Sequence, residues 1–272
     1  MYKKRIFVLL LVTILLGGCI KKNPEATIET QNDNKIIPIT TPTAFKYSAG
    51  ILPELSLEML FTVKGKSEYV KMNMQAIAEQ KGENLLWNIS IPTIRVNDKT
   101  YSGKEPICKF IGLASPLGKF YKVQMSFPAL ENKGKTISPD NKIYKTIQKN
   151  ILASMSSFRK DKIVSGDCLF FISTGLFKNL KPVDPSIKIG PKLVGYTYLN
   201  GKKVILTQTN YTDLEFLSTK GNKKITIDIN GFSMLDAKTL FPVNGDSTVI
   251  LKIENASPIT IQTRVRPAEP EV

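Results

Sequence analysis

The sequence predicts a mainly β (α+β) fold: a curved antiparallel sheet or half-barrel packed around one central amphipathic helix. Three observations lead there. Apolar residues alternate with period two through much of residues 46–265, and glycine-bearing turns separate those runs. One segment, 139–158, switches instead to helical spacing. A face that is apolar on one side only must be hidden, and the single helix is placed to hide it.

The first element is a leader. Lys3, Lys4 and Arg5 precede an apolar stretch from Ile6 to Leu16 that only Thr13 interrupts. Eleven helical residues rise about 16 Å, short of a hydrocarbon core of about 30 Å, so the stretch reads as an export signal and not as a spanning helix. It ends in Leu16-Gly17-Gly18-Cys19. This tetrapeptide resembles the lipobox of bacterial lipoproteins. The resemblance implies a diacylglyceryl group on the Cys19 thiol, cleavage before Cys19, and attachment to a membrane by that anchor. Acyl chains of this kind exceed the threshold for stable anchoring. In diderm lipoproteins an aspartate after the cysteine favours inner-membrane retention. Ile20 stands there, so the resemblance implies the outer membrane, facing the periplasm.

Residues 1–18 are therefore expected to be a signal peptide, and 19–45 a lipidated N-terminus and flexible tether rich in Asn, Thr, Pro and charge. A single β-rich periplasmic domain is expected over 46–265, with a disordered tail at 266–272. Within the domain, "KMNMQAIAEQKGENLLWNISI" predicts a hairpin around Lys81-Gly82-Glu83-Asn84. Met72 and Met74 lie on one strand, and Trp87, Ile89 and Ile91 on the other. "KLVGYTYLNGKKVILTQTN" predicts a second hairpin, because Asn200-Gly201 suits a type I′ turn. A third turns at Gly221-Asn222, after which Ile225, Ile227 and Ile229 share one face. Val249, Leu251 and Ile253 repeat that pattern.

The helix is read from Ser138 as N-cap and Pro139 as first helical residue. Ile143, Ile147, Ile151 and Phe158, with Leu152 and Met155, form its apolar stripe. Hairpin-rich halves lie on either side of it in sequence.

Gly231, Leu235, Asp236, Thr239 and Pro242 in "GFSMLDAKTLFPVNGDSTV" make a strand–turn–strand pattern. It resembles half-barrel envelope lipoproteins and carriers of the LolA and LprG kind, with Leu240 where the turn glycine usually stands. The resemblance implies a curved sheet that embraces helices and can hold acyl chains.

The chain carries a formal +15, or +12 once the leader's three cations are removed. Such charge attracts anionic surfaces. With 33 lysines against five arginines, scattered along the chain, it lacks the guanidinium clusters of specific nucleic-acid readers. No nucleic-acid partner is expected. Cys108 and Cys168 remain after lipidation. In an exported protein they suggest a disulfide, with two buried free thiols as the alternative. Histidine is absent, which removes Ser-His-Asp and Cys-His catalysis and makes zinc binding improbable. Neither a metal nor a cofactor is expected.

Ser157-Phe158-Arg159-Lys160 matches S-x-x-K, but it ends a predicted helix and lacks the supporting motifs. The carboxylate pairs Glu54/Glu58 and Asp213/Glu215 fall on expected solvated faces. The chain is not expected to be an enzyme. Two functions remain: a lipid-anchored module binding an acyl chain or other hydrophobic ligand, and a non-enzymatic structural lipoprotein that meets an envelope protein through its lysine-rich face. Hydrophobic-ligand candidates are Met72, Met74, Trp87, Ile89, Leu214, Phe216, Ile227 and Ile229. Ordinary packing under the helix is the rival account of each.

Overall fold

A computed structural model describes residues 35–128, 158–171, 180–218 and 223–268. The strands among them are β1 (Gly50–Ile51), β2 (Leu55–Val63), β3 (Lys66–Lys81), β4 (Asn84–Val96), β5 (Lys99–Tyr101), β6 (Cys108–Ala114) and β7 (Phe120–Ser126). The second half supplies β8 (Leu180–Pro182), β9 (Lys192–Leu199), β10 (Lys202–Ser218), β11 (Lys224–Asp236), β12 (Pro242–Ile253) and β13 (Ile259–Pro267). All belong to one large open sheet, in the order β7-β6-β4-β3-β2-β13-β12-β11-β10-β8. β1 pairs with β3, β5 with β4 and β9 with β10. Every pairing is antiparallel, so the protein is mainly β as the alternation requires.

Local chemistry sets the hairpins. Asn200 (φ 50°) and Gly201 (φ 74°) take the left-handed conformations expected of their turn. β3 ends at Lys81 and β4 begins at Asn84, with Gly82 at φ 61° between them. The turn from β11 to β12 is held by Asp236, whose Oδ1 accepts from the Lys238 and Thr239 amides at 3.0 and 2.7 Å. Leu240 adopts φ 60° there, the conformation a glycine would take, and its buried side chain holds it against that cost.

The two halves of the sheet meet at β2 and β13. Nine residue pairs run from Ile259 opposite Val63 to Pro267 opposite Leu55. Register carries one face across the whole sheet. Ile227 lies opposite Leu251, Leu251 opposite Ile259, and Ile259 opposite Val63. Leu55 shares Val63's parity and lies opposite Met74. Ala78, on Met74's side of β3, lies opposite Trp87. Trp87 and Ile227 therefore face the same side. We call this the inner face.

The opposite face is polar at matching positions. Asp246, Arg264, Glu58, Lys71 and Arg95 follow one another across five strands in register. Lys71 Nζ lies 3.2 Å from Glu58 and Arg264 Nε 3.1 Å from Asp246. The part-exposed Lys71–Glu58 pair contributes at most about 1 kcal/mol, whereas Asp246 is buried and held by both Arg264 and Arg266.

What covers the inner face differs from expectation. The stripe residues Ile143, Ile147, Ile151, Leu152 and Met155 lie outside the described residues. Phe158 is described, and it pairs with Phe170 in an antiparallel bridge. All described elements are strands, so a central helix is not borne out among them. Two irregular segments do the covering instead. Residues 35–49, expected to be largely tether, pack down with Ile39 and Phe45 buried. Residues 158–171 lie beside them, contributing Phe158, Ile163 and Leu169 to the same apolar cluster as Leu193, Ile205, Leu235 and Leu240.

Backbone bonds fix the two segments to each other and to the sheet. Thr43 and Ile163 exchange N–H···O bonds at 2.9 Å, as do Ile37 and Tyr196 at 2.8 Å. Ser165 links three places: its hydroxyl accepts from the Ile39 amide at 2.8 Å and donates to the Val194 carbonyl at 2.7 Å. Gly195 makes this approach possible, since a Cβ there would come within 2.5 Å of the Ile37 carbonyl oxygen. Gly195→Ala should therefore displace the 35–39 strap and cost about 1–3 kcal/mol, as overpacking against backbone does. Limited proteolysis and thermal denaturation check this: cleavage near Ile37 should quicken and Tm should fall.

Candidate functional site

The eight predicted ligand-binding residues all have inner-face positions by register, but they do not form one site. Met72 and Met74 belong to a cluster with Leu55, Leu57, Met59, Val70 and Phe110. Trp87 lies in a neighbouring cluster with Leu52, Ala76, Ala78 and Leu85, and Ile89 packs against both. Leu214, Phe216, Ile227 and Ile229 form a separate cluster with Ile189 and Ile225, toward the other end of the strand order. Within these clusters the side chains are buried by one another, as core residues are.

Between the clusters lies a group of residues that the sequence reading missed. Thr209, Gly231, Ser247 and Thr263 stand opposite one another on β10, β11, β12 and β13. The row continues into Met59 and Val70. One step along the strands, Thr207, Ser233 and Gly245 stand in register. All five hydroxyl side chains are buried, Thr209 and Thr263 to within 1–2% exposure. Ile229 on one side belongs to one apolar cluster, Leu235 and Ile205 on the other to a second, and Met59 and Val265 at the end to a third. Gly231 and Gly245 leave the backbone bare among them.

Two of these hydroxyls have no hydrogen-bond partner: Ser233 Oγ and Thr263 Oγ1. The Ser233 backbone is engaged, since Thr207 Oγ1 donates to its carbonyl at 3.3 Å. The Trp87 indole N–H is also buried and unpartnered. Buried polar groups are normally satisfied, and each orphan costs about 1–3 kcal/mol. No cation belongs to the patch, so its unused capacity suits a neutral acceptor better than a carboxylate or phosphate. Opposite residues on adjacent strands are about 5 Å apart and diagonal ones about 7–8 Å. Ser233, Ser247 and Thr263 thus form a stepped line of hydroxyls across three strands. The signal was present in the sequence: Thr207 and Thr209 share the parity of Ile205.

A chain of aromatic rings runs beside this region. Tyr47 meets Trp87 edge-on at 5.4 Å and Phe158 at 4.6 Å. Trp87 stacks on Phe241 at 5.6 Å, and Phe158 meets Phe170 at 5.9 Å. Burial pushes the Tyr47 phenol up to about 12, so it stays neutral.

The expected Cys108–Cys168 disulfide is not formed, and both cysteines are free. Cys108 sits on β6 opposite Ile91, whereas Cys168 bridges to Lys192 of β9, near the other end of the strand order. Cys108 belongs to an apolar cluster, and burial pushes its thiol up to about 12. Cys168 Sγ lies 3.9 Å from the Tyr211 hydroxyl and is partly exposed.

The carboxylate pairs noted in the sequence are engaged elsewhere. Asp213 lies at a β10 bulge with φ 52°, its amide donating to Asp228 Oδ1 at 2.8 Å. Lys252 bridges Asp213 and Asp228 at 3.3 and 2.7 Å, and Glu215 pairs with Lys224 at 2.6 Å. Partial burial alone would raise the Asp228 carboxyl, but Lys252 and the Asp213 amide hold it below its usual value. Glu58 pairs with Lys71, and Glu54 accepts from Gln75 at 3.3 Å. Among the described residues no three His, Cys, Asp or Glu side chains gather as a metal site requires. Ser157 of the S-x-x-K match lies outside the described residues.

No protein-family model matches the chain, and no curated protein does. Among solved structures it is similar to a DUF1329 family protein from Desulfovibrio piger, at 12% identity over 81% of this chain and 88% of that one. The TM-score is 0.22, too low to carry an argument.

Thr263→Val removes an orphaned hydroxyl isosterically, so it should stabilise the fold by about 1 kcal/mol, and Ser233→Ala should do the same. Denaturant titration checks the sign; a loss of stability would mean the oxygens have partners in solution. For the cysteines, alkylation of the folded protein should modify Cys168 well before Cys108, because the reactive species is the thiolate. Peptide mass spectrometry after timed iodoacetamide reads that order.

Proposed function

We propose that this protein is a lipid-anchored envelope protein, held in the outer membrane through Cys19, whose sheet curves into a half-barrel and takes an acyl chain or other neutral lipid against its inner face. The observation that carries the reading is the buried hydroxyl patch. An apolar face used only as core gains nothing from hydroxyls without partners, whereas one that receives ester-bearing chains needs donors among its apolar rows. No catalytic step is assigned, since the carboxylates of the described residues discussed above are held in ion pairs or hydrogen bonds on the polar face.

Distances around one rim support the curvature. From β6 to β9 the sheet path crosses eight strand spacings, roughly 38 Å if flat. A second path is much shorter. The Phe158 amide donates to the Leu117 carbonyl beyond β6 at 2.8 Å, Phe158 pairs with Phe170, and the Leu169 amide donates to Pro191 before β9 at 2.8 Å. Three such steps span roughly 14 Å, which a flat sheet does not allow.

Anchor and ligand are tested separately. Cys19→Ser should accumulate as an uncleaved precursor that takes up no labelled palmitate; normal processing would overturn the anchor. Native mass spectrometry of the gently extracted protein should show a bound neutral lipid, retained less well by Thr263→Val and Ser233→Ala. A ligand-free protein, or equal retention by the variants, would overturn the carrier reading.

A further inference from the structure

The N-terminal strap reaches the sheet at the β9–β10 hairpin. Ile37 is bonded to Tyr196 in an antiparallel bridge, and exposed Lys35 lies two residues before it. Around this point three large apolar side chains face solvent: Ile36 at 41% exposure, Ile37 at 48% and Tyr198 at 42%. Exposed lysines surround them. Lys202 and Lys203 begin β10 opposite Leu199 and Tyr198, and the Lys203 ammonium lies 3.7 Å from the Tyr196 ring centroid. Lys238 is exposed on the adjoining turn, where the Ala237 amide donates to the Lys203 carbonyl at 3.3 Å. Asp236 is the acid nearest in register, opposite Val204, and its Oδ1 is engaged within its own turn by Lys238, Thr239 and the Thr239 hydroxyl.

We infer that this end of the sheet is a membrane-docking surface, which rests the tip of the β9–β10 hairpin and residues 35–37 on an anionic phospholipid bilayer. The inference rests on the lipid-anchor reading above and adds an orientation to it. Three observations favour a bilayer as the occupant. Aliphatic and tyrosine side chains ringed by lysines match the layered chemistry of an anionic interface, apolar within and phosphate-rich at its surface. The patch lies where the described chain begins, sixteen positions after Cys19, so even a fully extended connection places it within about 58 Å of the anchor. Because the anchor makes docking intramolecular, contacts too weak to recruit a free protein are enough to orient this one.

The opposite end of the sheet provides an internal control. The β2–β3 turn lies level with Ile259, Leu251 and Ile227, away from the β9–β10 turn, and carries exposed Lys64 and Lys66. Exposed Lys99, on β5 opposite Val96, lies at that end too.

The test is lysine footprinting of the full-length, processed protein in nanodiscs of phosphatidylglycerol with phosphatidylethanolamine, compared with phosphatidylcholine alone. The intact mass first establishes acylation of Cys19, which reports on the anchor independently of the patch. Without acylation the anchor reading fails, and the same footprint with added vesicles then tests the patch alone. Timed acetylation should be slowed at least about threefold at Lys35, Lys202 and Lys203 in the anionic discs, and unchanged at Lys64, Lys66 and Lys99. The slowing should weaken with added salt. The pair Lys35→Glu and Lys202→Glu, which leaves the Lys203–Tyr196 contact intact, should abolish it at Lys203. Equal rates in both disc types, or equal slowing at both ends of the sheet, would overturn the docking surface.

Discussion

The β2–β13 seam is the constraint on which the rest of the structure depends. Among the described residues it is the one ladder that joins the amino-terminal and carboxy-terminal halves of the sheet. Its nine pairs put Leu57, Met59, Ile261 and Val265 on one face and Glu58 and Arg264 on the other. A slip of one residue would set Met59 beside Arg264 on one face, so that either the guanidinium is buried with the methionine or the methionine is exposed with the guanidinium. The register is therefore held by the hydrophobic pattern of both strands together, and the continuity of the inner face from Trp87 to Ile227 follows from it.

That continuity gives the hydroxyl patch its meaning. Ser247 and Thr263 come from strands on the carboxy-terminal side of the seam, and the row they form runs directly into Met59 across it. Hydrogen-bonding capacity is thus set at the junction of three apolar clusters. The strap and the 158–171 segment close over the neighbouring cluster, where Ser165 binds both the strap and β9. The orphaned oxygens of Ser233 and Thr263 weaken the fold, and under the proposed carrier reading a bound acyl ester is what would offset that cost.

Much of the sheet was legible in the sequence because its signals are local. Asn200-Gly201 and Lys81-Gly82 turn as their chemistry dictates, and Ile225, Ile227 and Ile229 share a face because side chains alternate along a strand. Partner choice was not legible, for alternation says which side of a strand is apolar and not which strand lies beside it. Nothing local pairs Met59 with Thr263. The strap was hidden for another reason: Ile39 and Phe45 sit in a Thr- and Pro-rich stretch without period, and their burial depends on Gly195 allowing a close approach. Cysteine parity misled because an even count is compatible with two isolated thiols, and Cys108 is as apolar in its setting as the Phe110 two residues on. The ligand candidates combine size with apolarity, and in the fold they pack against one another in three separate clusters.

The seam also imposes an order in time. Met59 is made early and its partner Thr263 near the end of the chain, roughly 200 residues later; at roughly 5–20 residues per second, about 10–40 s separate them. Through that interval the outer edge of β2 has no neighbour, and the strand beneath it offers a half-apolar surface on which any passing extended chain could template. Any half-sheet that forms before β13 is available therefore keeps a sticky border open until the last strand seals it.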